Sequence, residues 1–311
     1  MNEAENSTFG FTDQNWKNLF HYINRKKTTP FLGAGISRGH FGSGKELAKK
    51  IADEFDYPFF DISDLAKVSQ FAVIKSDAVI VRDFISEYIN NNGLPDFNNP
   101  SEPHRILAEL ELPIYITTNY DHLMYEALKF LKKDPIIEYC RWNDLAEIQG
   151  KTSIFDNDNF NYDSDKPLVY HLHGEVDNPQ SMVLTEDDYL SFIINLSVNI
   201  DKLFPARIRT AIASSSMIFI GYSLSDWNLR IIFRKIAQGI KSVIPNHSSI
   251  QLSPTDVKIE DKELIKDYLT SYFQIIQGVN LNIFWGNAID FCLILAEKMK
   301  NQDMKQNVHT S

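Results

Sequence analysis

Short apolar runs that alternate with helical patterns are the feature that most limits how this chain can fold. The runs have the length of buried strands, and they lie at 29–32, 113–116, 167–172, 217–220, 249–252 and 282–285. Apolar residues at helical spacing fill the segments between them, including 43–55, 61–71, 77–89, 121–132, 186–196, 199–214, 225–237 and 288–299. Strands that alternate with helices favour an α/β fold in which helices cover both faces of a mainly parallel sheet.

The predicted elements divide the chain into one main domain and two short ends. Trp16, Phe20 and Ile23 fall at helical spacing, so we expect residues 1–28 to form a helical lead-in. Residues 29–299 contain every predicted strand and form the main domain, with a small helical subdomain. Residues 300–311 are expected to be a polar tail. The length of 311 residues suits such an arrangement.

Composition excludes several classes of protein. The formal net charge of -10 argues against direct nucleic-acid binding, because phosphate contacts need a basic surface. Two cysteines, Cys140 and Cys292, are too few for a disulfide framework or a four-cysteine zinc site. The first residues are acidic and polar, and the apolar runs are too short to span a bilayer. We therefore expect a cytoplasmic protein with no membrane contact.

Small and polar residues follow several of the predicted strands. They form the segments 33–37 (GAGIS), 117–121 (TTNYD), 170–174 (YHLHG) and 221–223 (GYS). The carboxyl ends of parallel strands share one edge of a sheet, and ligands of open α/β sheets bind there. A glycine-rich turn lets backbone N–H groups approach an anion. His173, past its strand, has the reference pKa of a general base near neutral pH.

Each of these segments also has a purely structural interpretation. Asn119 and Asp121 are favoured helix-capping residues, and the 33–37 segment could be a plain tight turn. His171 is expected to be a packed or hydrogen-bonded core residue. A His-x-His pair can ligate a metal, but no third ligand stands at a recognisable spacing, so no metal is expected. The stretch 39–45 resembles part of a P-loop, but Glu46 replaces the magnesium-binding hydroxyl, so we reject that motif.

The order of the motifs resembles the Sir2 (sirtuin) family, in particular the bacterial Sir2-like branch associated with anti-phage defence. The 33–37 segment is similar to the family's G-A-G-x-S loop, and residues 118–121 are similar to its T-Q-N-x-D element. His173 and Gly174 match its H-G pair, and residues 221–223 are similar to its G-[TS]-S element. The four-cysteine zinc ribbon of the deacylases has no counterpart, since residues 175–217 contain no cysteine.

The resemblance implies a Rossmann-like fold and cleavage of the bond between nicotinamide and ribose, with NAD as substrate and no zinc. It makes Asn119 and His173 the catalytic residues: Asn119 places a water or the ribose hydroxyls, and His173 accepts a proton. It assigns cofactor binding to seven further residues: Gly33, Ala34, Gly35, Ser37, Asp121, Gly221 and Ser223. The missing zinc ribbon favours NAD hydrolysis over deacylation.

Two other functions stay open at this point. One is a non-catalytic sensor of NAD or ADP-ribose that regulates a partner, and the less favoured one is an NAD-dependent protein deacylase. Because NAD depletion harms the host cell, we expect an effector of defence that is held inactive until it is triggered. The resemblance implies a homo-oligomer, and a partner such as a HerA-type ATPase or a short Argonaute.

Overall fold

The computed structural model of the chain describes residues 10–143, 152–222, 248–252 and 281–309, with five positions between 264 and 271. Within these residues no helix is both long and apolar enough to cross a bilayer. The predicted helix at 225–237 lies outside the described residues.

Seven strands form one sheet in which every neighbouring pair is parallel. The spatial order is β3-β4-β2-β1-β5-β6-β7. The strands are β1 (Thr28–Leu32), β2 (Ile114–Thr117), β3 (Ile136–Tyr139), β4 (Leu168–His171), β5 (Ser216–Tyr222), β6 (Ser248–Leu252) and β7 (Leu281–Trp285). The predicted α/β, Rossmann-like class with a mainly parallel sheet is confirmed.

Helices cover both faces of the sheet. The described helices are α1 (Asp13–Ile23), α2 (Arg38–Phe41), α3 (Gly44–Glu54), α4 (Leu65–Lys75), α5 (Ala78–Asn91), α6 (Pro103–Ala108), α7 (Leu123–Phe130), α8 (Glu186–Val198), α9 (Ile200–Leu203), α10 (Ala206–Ser214) and α11 (Ala288–His309). Helices α1, α6, α7 and α11 share one apolar core with the sheet. Helices α8 to α10 share another core with it.

A third apolar cluster forms a small helical subdomain beside the sheet. It is built from α3, α4 and α5, and Val176, Met182 and Leu184 complete it. Capping side chains fix where these helices begin: Ser43 and Glu46 form a capping box on α3, and Asp64 caps α4. Glu46, the residue that excluded a P-loop, therefore has a structural role.

The element boundaries differ from the sequence pattern at three places. Strand β3 (Ile136–Tyr139) was missed, because the buried carboxylate of Glu138 interrupts its apolar pattern. The helical pattern at 199–214 is divided into α9 and α10 at Pro205, which lacks a backbone donor and begins a new helix. The last helix continues beyond Met299 to His309.

Strand β1 lies at the centre of the sheet, between β2 and β5. The chain leaves β1 toward β2 on one side and reaches β5 on the other side only after β4. Such a reversal of strand order opens a crevice at the carboxyl ends of the central strands. The residues after β1, β2 and β4 therefore border one space.

Candidate functional site

A cavity of about 170 Å³ lies at the carboxyl ends of β1, β2 and β4. Its sheet side is lined by residues that follow these three strands, namely Ala34, Ser37, Thr118, Asn119, Tyr120, Asp121 and His173. The helical subdomain and α8 supply the other side, with Phe41, Gly42, Ser43, Gly44, Leu47, Leu65, Tyr88, Ile89 and Tyr189. The cavity is thus mostly apolar, with a few polar groups at the sheet edge, as is usual for small-molecule sites.

The Asn119 amide is fixed in one orientation. Its Nδ2 donates to the carbonyl of Gly33 at 3.3 Å and to Oγ of Ser37 at 3.1 Å. A backbone carbonyl only accepts hydrogen bonds, so the nitrogen rather than the oxygen must point toward Gly33. The side-chain oxygen of Asn119 is left without a partner among the described residues, and it is the atom available to a ligand.

Asp121 combines a capping contact with a contact to the glycine-rich turn. Its Oδ1 accepts the N–H of Leu123 at 3.0 Å at the start of α7. Its Oδ2 accepts the hydroxyl of Ser37 at 3.1 Å. Asp121 supplies the only carboxylate among the described residues that line the cavity. Asp121 therefore bonds the first residue of α7, in keeping with the structural interpretation, and its role toward a ligand stays a prediction.

His173 lies just past β4 and is almost fully buried. Its ring meets Phe192 and Tyr189 edge-on, with centroids 5.0 and 5.7 Å away. Its Nε2 is sealed from solvent and has no hydrogen-bond partner among the described residues. Burial lowers the pKa of His173 to about 3. The ring is therefore uncharged at neutral pH, unlike the partly charged histidine that the reference pKa implied.

His171 supports the site from behind. The ring is fully buried, and its Nδ1 donates to the backbone carbonyl of Asn119 at 3.0 Å. Burial, followed by the charge of His122, lowers the pKa of His171 to about 4. The expectation of a hydrogen-bonded core residue is confirmed, and this bond ties β4 to the loop that carries Asn119.

Gly33, Gly35 and Gly221 do not line the cavity; they allow two backbone segments to touch. A Cβ on Gly33 would lie 2.8 Å from the carbonyl oxygen of Gly221, and one on Gly35 would lie 2.8 Å from its Cα. Gly221 has a φ of +85°, and a Cβ there would lie 2.5 Å from the carbonyl oxygen of Gly33. The tight approach holds the turn after β1 against β5. Ser223 lies outside the described residues.

The sequence interpretation missed His104 and Glu102. His104, near the start of α6, is 2% exposed. Its Nδ1 lies 2.8 Å from Oε1 of Glu102, and its Nε2 lies 3.4 Å from Oγ of Ser37. Only the spacing of the apolar residues in α6 could have shown that the face of this helix that carries His104 is buried.

Among the described residues, one group has the composition of a metal site. His122, Glu175 and Asp177 place ligand atoms within 4.8 Å of one another, outside the cavity. His122 Nε2 is 2.8 Å from Glu175 Oε2. Burial disfavours charge on both residues. Their hydrogen bond and mutual attraction nevertheless raise the pKa of His122 and lower that of Glu175. The two residues therefore form an ion pair.

Comparison with known proteins identifies the family. The profile described as a SIR2-like domain matches residues 113–273, more than half of the chain. NAD(+) hydrolase ThsA of Cytobacillus dafuensis is 28% identical over 221 residues, which cover 71% of this chain and 40% of that protein. The enzyme of the same name from Enterococcus faecium is also 28% identical over 221 residues, covering 71% of this chain and 42% of that protein.

Further likenesses are weaker. Defense-associated sirtuin 2 of Bacillus subtilis is 25% identical over 195 residues, 60% of this chain and 17% of that protein. A solved structure described as "Structural Basis for the Mechanism and Regulation of Sir2 Enzymes" aligns with 94% of this chain and all of its own. Its TM-score is 0.39 and its identity 12%, so it carries no argument. The chain spans about two fifths of the length of the two hydrolases named above.

The matched profile covers β2 to β6, and with them the loops that carry Asn119, Asp121 and His173. The order of these elements agrees with the motif order found in the sequence. The chain belongs to the SIR2-like family.

Proposed function

We propose that this protein is an NAD hydrolase that breaks the bond between nicotinamide and ribose. The observation that carries the proposal is the meeting of Asn119, Asp121 and His173 on one cavity, which Ala34 and Ser37 also border. The names of the ThsA relatives support it, since those proteins are NAD hydrolases. Five of the nine residues that the resemblance implied therefore border the cavity.

Cleavage of the bond between nicotinamide and ribose depends mainly on how the substrate is placed and on the charges that surround it. Nicotinamide leaves with the electrons of the broken bond, so the cationic ring becomes neutral and positive charge develops on the ribose carbon. The Asp121 carboxylate favours a cationic ring in this mostly apolar cavity. His173 is uncharged there, and a charged imidazole would repel that ring.

Water completes the reaction at the ribose carbon. The free oxygen of Asn119 is a hydrogen-bond acceptor at the edge of the cavity, suited to a water or a ribose hydroxyl. As the oxygen of water bonds to the carbon, its proton passes to His173 and then to solvent. The products are nicotinamide, ADP-ribose and a proton.

Backbone groups offer the best contact for the pyrophosphate of NAD. No lysine or arginine is found among the described residues that line the cavity. The N–H groups of Ala34 and Gly35 have no acceptor in the described part of the chain, since the first bond of this turn comes from Ile36 to Gly33. We assign the pyrophosphate to this turn, with Gly33, Gly35 and Gly221 shaping it. Ser223 stays a proposal for the adenosine ribose.

Zinc has no place in this proposal. Cys140 and Cys292 are both buried and unpaired, and they belong to different apolar cores. Burial raises the pKa of the Cys140 thiol to about 12, so it stays protonated and is a poor metal ligand. NAD is the substrate, and no resident cofactor is needed.

Replacement of Asn119 tests the proposal. We expect Asn119→Ala to lower nicotinamide release about 100-fold or more while the protein stays folded, because the side chain that places the attacking group is gone. Release is measured by chromatography of NAD after incubation, and circular dichroism checks the fold. The control is Asn18→Ala on the exposed side of α1.

The same assay separates the alternatives. Near-full turnover by Asn119→Ala would contradict the assigned role. Tight binding of NAD without any product in the wild-type protein would instead support the sensor. Turnover that requires an acylated peptide would support the deacylase.

The name of defense-associated sirtuin 2 supports a place in defence, and we propose that this chain acts against phage through NAD depletion. We propose control in trans or through self-assembly, as a cytoplasmic homo-oligomer or with a HerA-type ATPase or short Argonaute. Leu190, Ile194 and Val198 support assembly, because they stand one turn apart on α8 and are exposed by 59%, 62% and 75%. Such a contiguous apolar stripe suits a protein contact.

A further inference from the structure

A buried line of polar side chains lies behind the cavity. Glu102 contacts His104 at 2.8 Å, His104 contacts Ser37 at 3.4 Å, and Ser37 contacts Asp121 at 3.1 Å. Asn119 also contacts Ser37, at 3.1 Å. All five residues are at most 9% exposed. Two of them, Glu102 and His104, do not touch the cavity and have no role in the proposed function.

The hydroxyl of Ser37 has one proton and three polar neighbours. Asn119 Nδ2 donates to it, and the Asp121 carboxylate can only accept from it. The third neighbour, Nε2 of His104, donates when it carries a proton and accepts when it does not. With a protonated Nε2, the Ser37 proton goes to Asp121 and every bond is satisfied. With a bare Nε2, His104 and Asp121 compete for that proton.

Glu102 holds His104 in place for this contact. Its Oε1 faces His104 Nδ1, and its Oε2 accepts the N–H of Arg105 at 2.6 Å, where it caps α6. The Arg105 guanidinium is directed away, to Glu109 and to the carbonyls of Phe97 and Asn98. The nearest cationic partner of Glu102 is therefore His104.

The other titratable groups around His104 are either negatively charged or neutral. Asp121 carries a second negative charge beyond Ser37. Cys292 on α11 is buried, and burial together with the Glu102 charge raises the pKa of its thiol, so it stays neutral. Burial opposes ionisation of Glu102, but the hydrogen bond and charge of His104 lower its pKa below the usual value. Two carboxylates thus flank one imidazole.

We propose that Glu102 and His104 are positioning residues: Glu102 holds the His104 ring, whose Nε2 donates to Ser37 and directs the Ser37 proton to Asp121. The bond from Ser37 then fixes the carboxylate of Asp121, and the Ser37 oxygen anchors the amide of Asn119. Loss of the His104 donor would release the side chains of Asp121 and Asn119 from this arrangement. The proposal rests on the proposed NAD hydrolysis only for its kinetic readout.

Two substitutions at His104 separate positioning from packing. In His104→Gln the amide nitrogen can always donate to Ser37, so we expect kcat within about 10-fold of wild type. In His104→Leu no donor is present, and we expect kcat to fall about 100-fold with KM changed far less. The control is His21→Gln, an exposed histidine on α1. Equal loss in both His104 variants would overturn the proposal.

Nuclear magnetic resonance tests the arrangement without catalysis. With ¹⁵N-labelled histidine, the signals of His104 are identified by their loss in His104→Gln. We expect Nε2 of His104 to carry a proton in the wild-type protein, as the bonds at Ser37 require, and the Nδ1 signal to change in Glu102→Gln, which alters the partner of Nδ1. A bare Nε2, or unchanged signals in Glu102→Gln, would overturn the proposal. If the wild-type protein releases no nicotinamide, the proposed function fails and this measurement still decides the inference.

Discussion

Burial of the His173 imidazole shows how one residue acquires its chemistry from its surroundings. Phe192 and Tyr189 flank the ring, and no charged group is in contact with it in the described residues. A histidine in such a place is held neutral far below its usual pKa. It can accept a proton at any physiological pH, but it holds that proton only briefly. This suits a step in which the proton is passed on to solvent.

The lowered pKa of His173 predicts the acid side of the rate profile. Because the ring stays uncharged until pH approaches about 3, NAD turnover should not fall between pH 7 and pH 5 through protonation of this residue. The measurement is kcat/KM for nicotinamide release across that range, with circular dichroism to confirm the fold. A fall centred near pH 6.5 would mean that His173 titrates as an exposed histidine does.

Single residues were predicted from the sequence where they follow a strand. Asn119, Asp121 and His173 were found because a strand end and a motif coincide there. His104 was not, because its partner Ser37 lies 67 residues earlier in the chain. The glycines were identified, but their contact partner was not: the approach of Gly33 and Gly35 to Gly221 depends on the pairing of β1 with β5. Strand order cannot be derived from one sequence.

At the scale of elements, the exit from β4 sets the position of His173. Gly174 follows at once with a φ of +81°, and the chain turns there so that Val183 N–H returns to the carbonyl of His173 at 2.9 Å. A Cβ on Gly174 would lie 2.1 Å from the carbonyl oxygen of Ser181. The glycine therefore allows both the left-handed conformation and the close approach.

Gly174→Ala should be far more damaging than a matched glycine substitution. Gly93, after α5, also has a positive φ of +67°, but a Cβ there meets nothing within 4 Å. Gly93→Ala should cost about 1–2 kcal/mol from the backbone conformation alone. Gly174→Ala should cost about 1–3 kcal/mol more, because the Ser181 backbone must move. Urea unfolding of both variants measures the difference, and equal losses would contradict the close approach.

Elements with strong periodicity were predicted well, and short or interrupted ones were not. The six apolar runs became strands because each is buried on both faces of a parallel sheet. Strand β3 was missed because Glu138 interrupts its apolar pattern. That carboxylate accepts hydrogen bonds from Arg141 and from the N–H of Ile154. No local sequence pattern reveals these two contacts.

At the scale of the whole molecule, three loops from distant parts of the chain form one cavity because their strands are parallel neighbours. The arrangement places two neutral histidines, His171 and His173, in a protein interior. Both have a pKa well below that of an exposed histidine, about 4 and about 3. The edge of the sheet that borders the cavity is therefore a source of acid sensitivity for the fold.

This burial predicts how stability depends on pH. As pH falls below about 6.5, the unfolded chain takes up a proton at each buried histidine while the native protein does not, so stability is lost as pH falls toward the native values. Between pH 7 and pH 5, His173 alone should cost about 2 kcal/mol of unfolding free energy. His122, whose pKa is raised, gains stability as pH falls and offsets a smaller part.

Chemical denaturation at pH 7, 6 and 5 tests this dependence, with the slope against pH as the readout. The absolute stability of a variant then does not matter. His173→Gln removes the titrating group, so its stability should fall by about 2 kcal/mol less than that of the wild-type protein over this range. His21→Gln, at an exposed site, should keep the wild-type slope. Parallel slopes for wild type and His173→Gln would show that His173 is protonated in the native protein, and the neutral base at the cavity edge would be lost with it.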